Sequence, residues 1–527
     1  MNRVNAISDM IQKEEFNAMS QIAIANNEDV EDVLEEEPVD CIESETDDEL
    51  EDGIGDETQT DGDGTSYVKF MRELGIDSFN DKEEFVRAIK LYNIKTHKHF
   101  EVVESRPDIW SIKCKLHKQG CKWKLRACKH KRSGCFDITK YTGPHTCLHS
   151  KITQDHPNLD ASLIAQEIQH LIKEQPSISI SALRAEVIDK LGYTPSYKKV
   201  WLGKQKAIER VFGDWDESYI ILPKFMEALK KFNPGTIAEW CVLRRTGVEQ
   251  VEFRRVFWAF NPSILGFKHC RPVISIDATH LYGKYKGKLM IAMGVDGNNQ
   301  ILPLAFAIVE NESYASWSWF LSHVKKHVVK DTKRICLISD RHAGILKAVN
   351  EQGSPWYCLM HFINNFNDKF RNSQLKALAY RAGSQNQIRK FNSIMEEIGK
   401  INRKARQWLE QHAFDKWTLA HDGRKRYGLL TTNLSEIFNS VLKVARFLPI
   451  TSCVQLTFYR LVHYFDVRRP MGSNAQDNGD MYTPHILAKQ AASMSKAGAH
   501  SLRLNAGYLE SRLGYFRNPP KNLGCQI

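Results

Sequence analysis

The chain has 527 residues, 42% hydrophobic and 26% charged, enough to bury two or three domain cores; a peptide hormone or a small disulfide scaffold is excluded. The formal net charge of +10 hides an asymmetry: residues 1–63 hold Arg3 and Lys13 against 22 carboxylates, and the remaining chain has 71 basic against 41 acidic residues. A basic body of that size behind an acidic tail points to a polyanionic partner, nucleic acid first.

Twelve cysteines are too sparse for a secreted disulfide framework, and the N-terminal residues lack the apolar stretch of a signal peptide. Runs such as Leu302 to Val309 fall well short of the ~18–20 apolar residues that span a bilayer. A soluble protein of a reducing compartment is expected.

Residues 1–66 read as a disordered acidic tail, because Glu28 to Asp63 carries 19 carboxylates in 36 positions with almost no aromatic side chain to bury. The tail is either a solvating segment or an acidic docking segment. Order begins near Phe79. Asp81-Lys82-Glu83-Glu84 has the spacing of a capping box, and Phe85, Ala88, Ile89 and Tyr92 follow at helical intervals. Trp110 to Cys114 and Cys121 to Cys128 alternate as strands of a small β module.

Residues 151–268 read as a helical segment. Leu183, Val187 and Leu191 form a stripe closed by Gly192, and Thr194-Pro195 has the form of an N-cap followed by a first-turn proline. Two helices joined this tightly are a helix-turn-helix candidate whose second helix carries Lys198, Lys199, Lys204 and Lys206; the alternative is a helical hairpin with a solvated basic face.

From Pro272 the pattern is βββαβαβ: strands at Val273 to Ile276, Leu289 to Val295 and Ile301 to Val309, a helix through Trp317, Phe320, Leu321 and Val324, a strand at Ile335 to Ile338, a helix from Ala343, and a short strand near Trp356 to Cys358. A meander followed by alternating elements predicts a mixed sheet flanked by helices, the arrangement of an RNase H-like fold. The fold class expected is multidomain α+β. Neither a phosphate-cradling G-x-x-x-x-G-K-[ST] loop nor a G-x-G-x-x-G turn occurs, which argues against ATP-driven or nicotinamide chemistry.

Two constellations carry chemistry. Cys114-x6-Cys121-x23-His145-x-Cys147 offers four soft or borderline ligands in two close pairs, as a structural Zn²⁺ site requires. His117 and His149 are substitute ligands, and Cys128 and Cys135 lie in the intervening loop. Between the pairs, strict alternation puts Trp123, Leu125 and Ala127 on one face and Lys122, Lys124 and Arg126 on the other. Residues 67–150 resemble the WRKY-like zinc finger of plant Mutator-like (MuDR-type) transposases, in which a β-strand enters the DNA major groove. That resemblance implies Lys122, Lys124 and Arg126 as DNA contacts.

The second constellation is carboxylate. Asp277 and Asp340 each follow a short apolar strand and converge if those strands are neighbours, as a Mg²⁺ or Mn²⁺ site needs. Either Asp can equally be a turn former. Glu436 stands off the apolar stripe of Leu434, Phe438, Val441, Leu442 and Ala445; with Asn433 it also has capping-box spacing, so it is a candidate ligand or a helix cap.

The wording around these residues is more specific. Ser275-Ile276-Asp277-Ala278-Thr279-His280-Leu281, Gly294-Val295-Asp296-Gly297-Asn298, Ser339-Asp340-Arg341-His342-Ala343-Gly344-Ile345, Tyr357-Cys358-Leu359-Met360-His361 and Thr431-Thr432-Asn433-Leu434-Ser435-Glu436 closely resemble the MULE domain, the catalytic part of Mutator-like element transposases. The resemblance implies a DDE transposase with Asp277, Asp340 and Glu436 as the metal-binding triad in a domain spanning 269–470. It implies double-stranded DNA as partner (terminal inverted repeats and target), a homo-oligomeric synaptic complex and a nuclear location. Cys358 and His361 form the family's C-x-x-H segment, near-site residues together with His280. A helical insertion at about 365–425, with Lys400, Arg403, Lys404 and Arg406, is expected between the second and third carboxylates, and residues 471–527 form an extension. The C-x-C…C-x-H module that follows the catalytic domain in many relatives has no counterpart here. The competing reading is a domesticated DNA-binding regulator of the far-red response type, or an inactive copy; retention of all three carboxylates favours the enzyme.

Overall fold

The computed structural model describes residues 70–73, 79–130, 134–147, 154–244, 251–330, 335–340, 342–352, 356–479 and 481–498. The acidic tail, His149 and the last residues of the extension lie outside them. The described chain divides after Gly213 into two compact units, each with its own core.

The first unit opens with helix α1 (Lys82–Lys95). Asp81 caps it by accepting from the Glu84 amide, while the Glu84 carboxylate accepts from the Asn80 amide at 2.9 Å, one residue earlier than a strict capping box. Four strands follow, β1 (Phe100–Arg106), β2 (Ile109–Cys114), β3 (Lys124–Lys129) and β4 (Phe136–Thr142), paired antiparallel in that order. Trp110, Ile112, Trp123, Leu125, Ala127 and Phe136 bury one face against Phe85 and Ile89 of α1. The alternation read from Trp123 to Ala127 is thus the alternation of a half-buried strand.

Helices α2 (Ala161–Glu174), α3 (Ile180–Leu191) and α4 (Tyr197–Phe212) complete this unit. Gly192 ends α3 in the left-handed conformation, φ 72°, which a glycine enters without a Cβ penalty. The cap of α4 is Ser196, whose hydroxyl accepts from the Lys199 amide, and not Thr194, whose own amide donates to the Gln154 carbonyl. At Gly203 a Cβ would meet the Ile164 side chain at 2.6 Å, so α2 and α4 pack at a separation that only glycine permits.

The second unit begins with α5 (Trp215–Phe232) and then departs from the helical reading of 151–268. Residues 237–259 form an antiparallel hairpin, β5 (Ile237–Arg244) with β6 (Val251–Ala259). A short helix α6 (Asn261–Gly266) leads to β7 (Val273–His280), β8 (Lys288–Val295) and β9 (Ile301–Val309). Helix α7 (Tyr314–His323) runs on into a π-helical turn at Val324–Val329, and is followed by β10 (Cys336–Ser339), α8 (Ala343–Gln352) and β11 (Trp356–Tyr357). The sheet order is β11-β10-β7-β8-β9-β6-β5. The β7-β8-β9 meander is antiparallel, whereas β10 and β11 add to β7 in parallel. Every residue of β9 is buried, and so is β8 after its first residue, so both read as continuous apolar runs.

Helices α9 (Leu359–Phe370), α10 (Ser373–Gly383), α11 (Ile388–Ile401), α12 (Arg403–Glu410) and α13 (Phe414–Trp417) follow β11. They enclose a core of their own around Phe362, Phe366, Phe391, Ile398, Leu409 and Trp417. Helix α14 (Asn433–Val441) returns to the sheet, α15 (Ile450–Asp477) packs on α5, and α16 (Pro484–Gly498) is the last described element. No helix among the described residues is long and apolar enough to cross a membrane.

Candidate active site and metal cluster

In the first unit, Cys114 ends β2, Cys121 follows a turn closed by Gly120 at φ 102°, and His145 and Cys147 come from the segment after β4. Their ligand atoms all lie within 4.8 Å of one another. Cys114 Sγ and Cys147 Sγ are 3.6 Å apart, and His145 Nδ1 is 3.5 Å from Cys121 Sγ and 3.6 Å from Cys147 Sγ. These are edges of the size set by a tetrahedral centre with ligand bonds of about 2.0–2.3 Å. Trp123 stacks on His145, centroids 4.3 Å apart, and fixes the imidazole plane. Burial pushes the Cys114 thiol up to about 12; at Cys121 burial is outweighed by amide donors at Trp123 and Thr146 and by the neighbouring thiols, which bring it down to about 6. Three thiols and an imidazole facing one point form a soft donor set. His117 stands in a short 3₁₀ turn outside this group, and Cys128 pairs instead with Thr139.

Lys122 and Lys124 are exposed and Arg126 is half-buried, on the face opposite Trp123 and Leu125. Cross-strand pairing sets Lys113 beside Lys124, and Lys140 beside Arg126. Glu101 and Glu104 of β1 share this face: Glu101 lies 3.2 Å from Lys113 and Glu104 lies 3.8 Å from Arg126. Of the α4 lysines, Lys198 is exposed, Lys199 pairs with Asp155 at 2.6 Å, Lys206 donates to Ser162, and Lys204 is buried, donating to the Ile178 carbonyl. The helical hairpin therefore uses part of its positive charge for its own packing.

In the second unit the parallel strands bring the sequence-separated groups together. Ile338 of β10 pairs with Ser275 of β7 and with Trp356 of β11. Two residues further along stand Asp277, Asp340 and Cys358, one row that crosses the middle of β7 and the carboxyl ends of the parallel β10 and β11, the end of an open α/β sheet where sites are placed. Asp277 accepts from the Ala278 amide at 2.8 Å and from Asn439 Nδ2 at 2.7 Å. Burial pushes the Asp340 carboxyl up, and Glu312 pushes it further, against the lowering effect of the His342 amide and of His361.

Asn439 belongs to α14, which is seated on β7 by a buried Ser435–Ser275 hydroxyl pair at 2.6 Å. Position 436 lies within this helix, three residues before Asn439. The N-cap of α14 is Thr432, whose side chain makes no cap hydrogen bond. Thr432 instead donates its amide and its hydroxyl to Cys358 Sγ, each at 3.2 Å, and its hydroxyl is 3.4 Å from His361 Nδ1. Burial alone would raise the Cys358 thiol, but the His361 imidazole and the Thr432 donors outweigh it and hold it below its ordinary value. The C-x-x-H segment thus ties the end of β11 to the start of α14.

His280 contacts Lys288, which in turn donates to Glu312 at 3.0 Å; His342 Nδ1 lies 3.7 Å from the other oxygen of Glu312. Glu312, in the turn between β9 and α7, is a fourth carboxylate of this neighbourhood that sequence reasoning passed over. Only its spatial approach to Asp340 marks it. Arg446, just beyond α14, donates to Thr279 Oγ1 and lies over the Tyr282 ring at 5.3 Å, bringing a cation to the same strand end. The insertion residues Lys400, Arg403 and Lys404 are exposed, and Arg406 pairs with Glu410 at 2.7 Å.

A search of curated proteins returned no match. Two families do match: residues 72–138, from ahead of α1 into β4, match the MuDR family transposase, and residues 273–365, from β7 into α9, match the MULE transposase domain. The MULE segment holds Asp277, Asp340, Glu312, Cys358 and His361, and ends before α14; the MuDR segment holds Cys114 and Cys121 and ends before His145. A MuDR family segment ahead of a MULE transposase domain in one chain supports a Mutator-like transposase.

Proposed function

We propose that the protein is a DDE-type DNA transposase that binds terminal inverted repeats and cleaves and rejoins DNA with Mg²⁺ or Mn²⁺. The observation carrying this reading is the register of β7 and β10, which aligns Asp277 with Asp340 inside the MULE-matched segment, with Asn439 of α14 bonded to Asp277. A half-buried carboxyl pushed up by burial and further by a neighbouring carboxylate suits a hard cation, and the oxygen donors available fit one. Asp277, Asp340 and Glu436 would hold the divalent ions, whose chemistry when bound is to activate the attacking oxygen and stabilise the leaving one.

The chain's own groups then have defined tasks. Asn439 orients the Asp277 carboxylate, Lys288 and His342 hold Glu312 beside Asp340, and the Cys358–Thr432 contact sets the start of α14. The strand order, a three-strand meander extended by two parallel strands, supports the RNase H-like reading. In the first unit, Cys114, Cys121, His145 and Cys147 fit a structural Zn²⁺ that fastens the loops around β3, and Lys122, Lys124 and Arg126 supply the DNA-facing edge. Two DNA ends joined in one complex imply at least a dimer, and the substrate places the protein in the nucleus.

The test is incubation of the purified chain with Mn²⁺ and DNA bearing the repeats that flank its gene, beside Glu436→Gln and Asp340→Asn. Cleavage by the parent chain, lost in both variants with DNA binding kept, supports the reading. Binding without cleavage in all three identifies a DNA-binding regulator or an inactive copy.

A further inference from the structure

The hairpin that escaped sequence reasoning carries a second cluster of metal-ligating side chains, within the second unit but remote in the sheet order from the carboxylate row. Glu239 lies on β5, the edge strand opposite β11; His323 ends α7, and His327 sits one turn later in the π-helical segment. One ligand atom from each lies within 4.8 Å of the other two. Glu239 Oε1 is 3.2 Å from His327 Nε2. His323 Nδ1 is buried without a hydrogen-bond partner, a costly state for a ring nitrogen unless something else is meant to meet it.

The rings are fixed in advance. His323 stacks on the buried Phe257, centroids 5.2 Å apart, and meets the edge of Trp319; the two imidazoles are parallel within 8° at 5.8 Å. The π-helical turn alters the pitch between positions 323 and 327, and such insertions recur where a helix is shaped for a site. The competing cation is Lys326, exposed and 3.8 Å from Glu239, a pairing too weak to hold the carboxylate against a divalent ion.

We infer that Glu239, His323 and His327 form a site for a borderline transition-metal ion of the Zn²⁺ class, which clamps the edge strand β5 to α7. Two imidazoles and a carboxylate are a donor set that Zn²⁺ accepts and that Mg²⁺, which prefers all-oxygen coordination, does not. Three protein ligands leave a fourth position to water. Loading the site gives His323 Nδ1 a partner, draws the Glu239–His327 pair onto the ion, and gives the edge hairpin a second anchor besides its pairing to β9.

The test uses the full chain, stripped of metal and titrated with Co²⁺ in excess Mg²⁺, with thermal unfolding followed in parallel with Zn²⁺. Thiolate-to-cobalt charge-transfer bands report the cysteine cluster; a second Co²⁺ bound with visible ligand-field bands and no added charge transfer reports this site. In His323→Asn/His327→Asn the second Co²⁺ should bind about 100-fold or more weaker, and Zn²⁺ should no longer raise the unfolding temperature of the second unit, while the thiolate signal stays. Glu239→Gln, which keeps the side chain's shape and its packing, should weaken the second Co²⁺ in the same direction. Parent chain that binds only the thiolate-coordinated Co²⁺, or a second Co²⁺ unaffected by Glu239→Gln, overturns the inference.

Discussion

The cysteine–histidine cluster and the carboxylate row are built by opposite means. Cys121, His145 and Cys147 come from irregular segments whose positions no ladder dictates, so the four ligands hold the loops in place only when something holds the ligands. Asp277 sits within β7 and Asp340 just past the end of the parallel β10, and their register is fixed by backbone pairing and a buried apolar face before any ion arrives. Metal and fold are therefore coupled in the first unit and separable in the second.

The largest expected effect is on chemistry. Asp340→Asn should lower DNA cleavage by about 10³-fold or more while the melting profile and DNA affinity stay near those of the parent, since one oxygen ligand is lost and the sheet is not. An equal loss of structure would break the contrast. Next comes metal removal: a chelator, or Cys114→Ser, should unfold the β module, seen as a change in Trp123 fluorescence and loss of repeat binding, while the cleavage unit keeps its own transition.

Cys358→Ala tests the tie between strand and helix. The fully buried thiol accepts two donors from Thr432, so its removal should cost about 2–3 kcal/mol and lower cleavage about tenfold, with Cys358→Ser recovering part of each. The pH dependence separates the units. Burial, reinforced by His99, lowers the imidazole of the fully buried His156 to about 4, so the folded state binds fewer protons there than the unfolded state. Its contribution is fully present above the ordinary histidine value of about 6.5 and is lost as pH falls from there through about 4; His156→Gln should flatten that limb of the first unit's unfolding curve. The smallest effect is Lys124→Ala, expected to reduce the salt slope of DNA binding by about one and to leave folding unchanged.

Much of this was legible in the sequence, for physical reasons that differ by region. The meander and the parallel strands from Val273 onward announce themselves because buried strands are uninterrupted apolar runs, and β3 does because one of its faces is wet. The hairpin at 237–259 did not, since β5 is an edge strand whose residues are all half-buried or exposed and show no period of two. Glu312 was hidden for another reason: its partners Lys288, His280 and His342 are remote in sequence, and only the closing of the sheet brings them to it. The cap of α4 moved from Thr194 to Ser196 because the Thr194 backbone is engaged by Gln154.

The helices between Cys358 and Thr432 close on their own aromatic core, and their two ends are fastened side by side through one sulfur atom. Loop-closure entropy grows only slowly with the length of chain between two fixed points. That helical block can accordingly be lengthened, shortened or replaced, and with it whatever surface the block offers, while the strand end and the helix start that it joins keep their places.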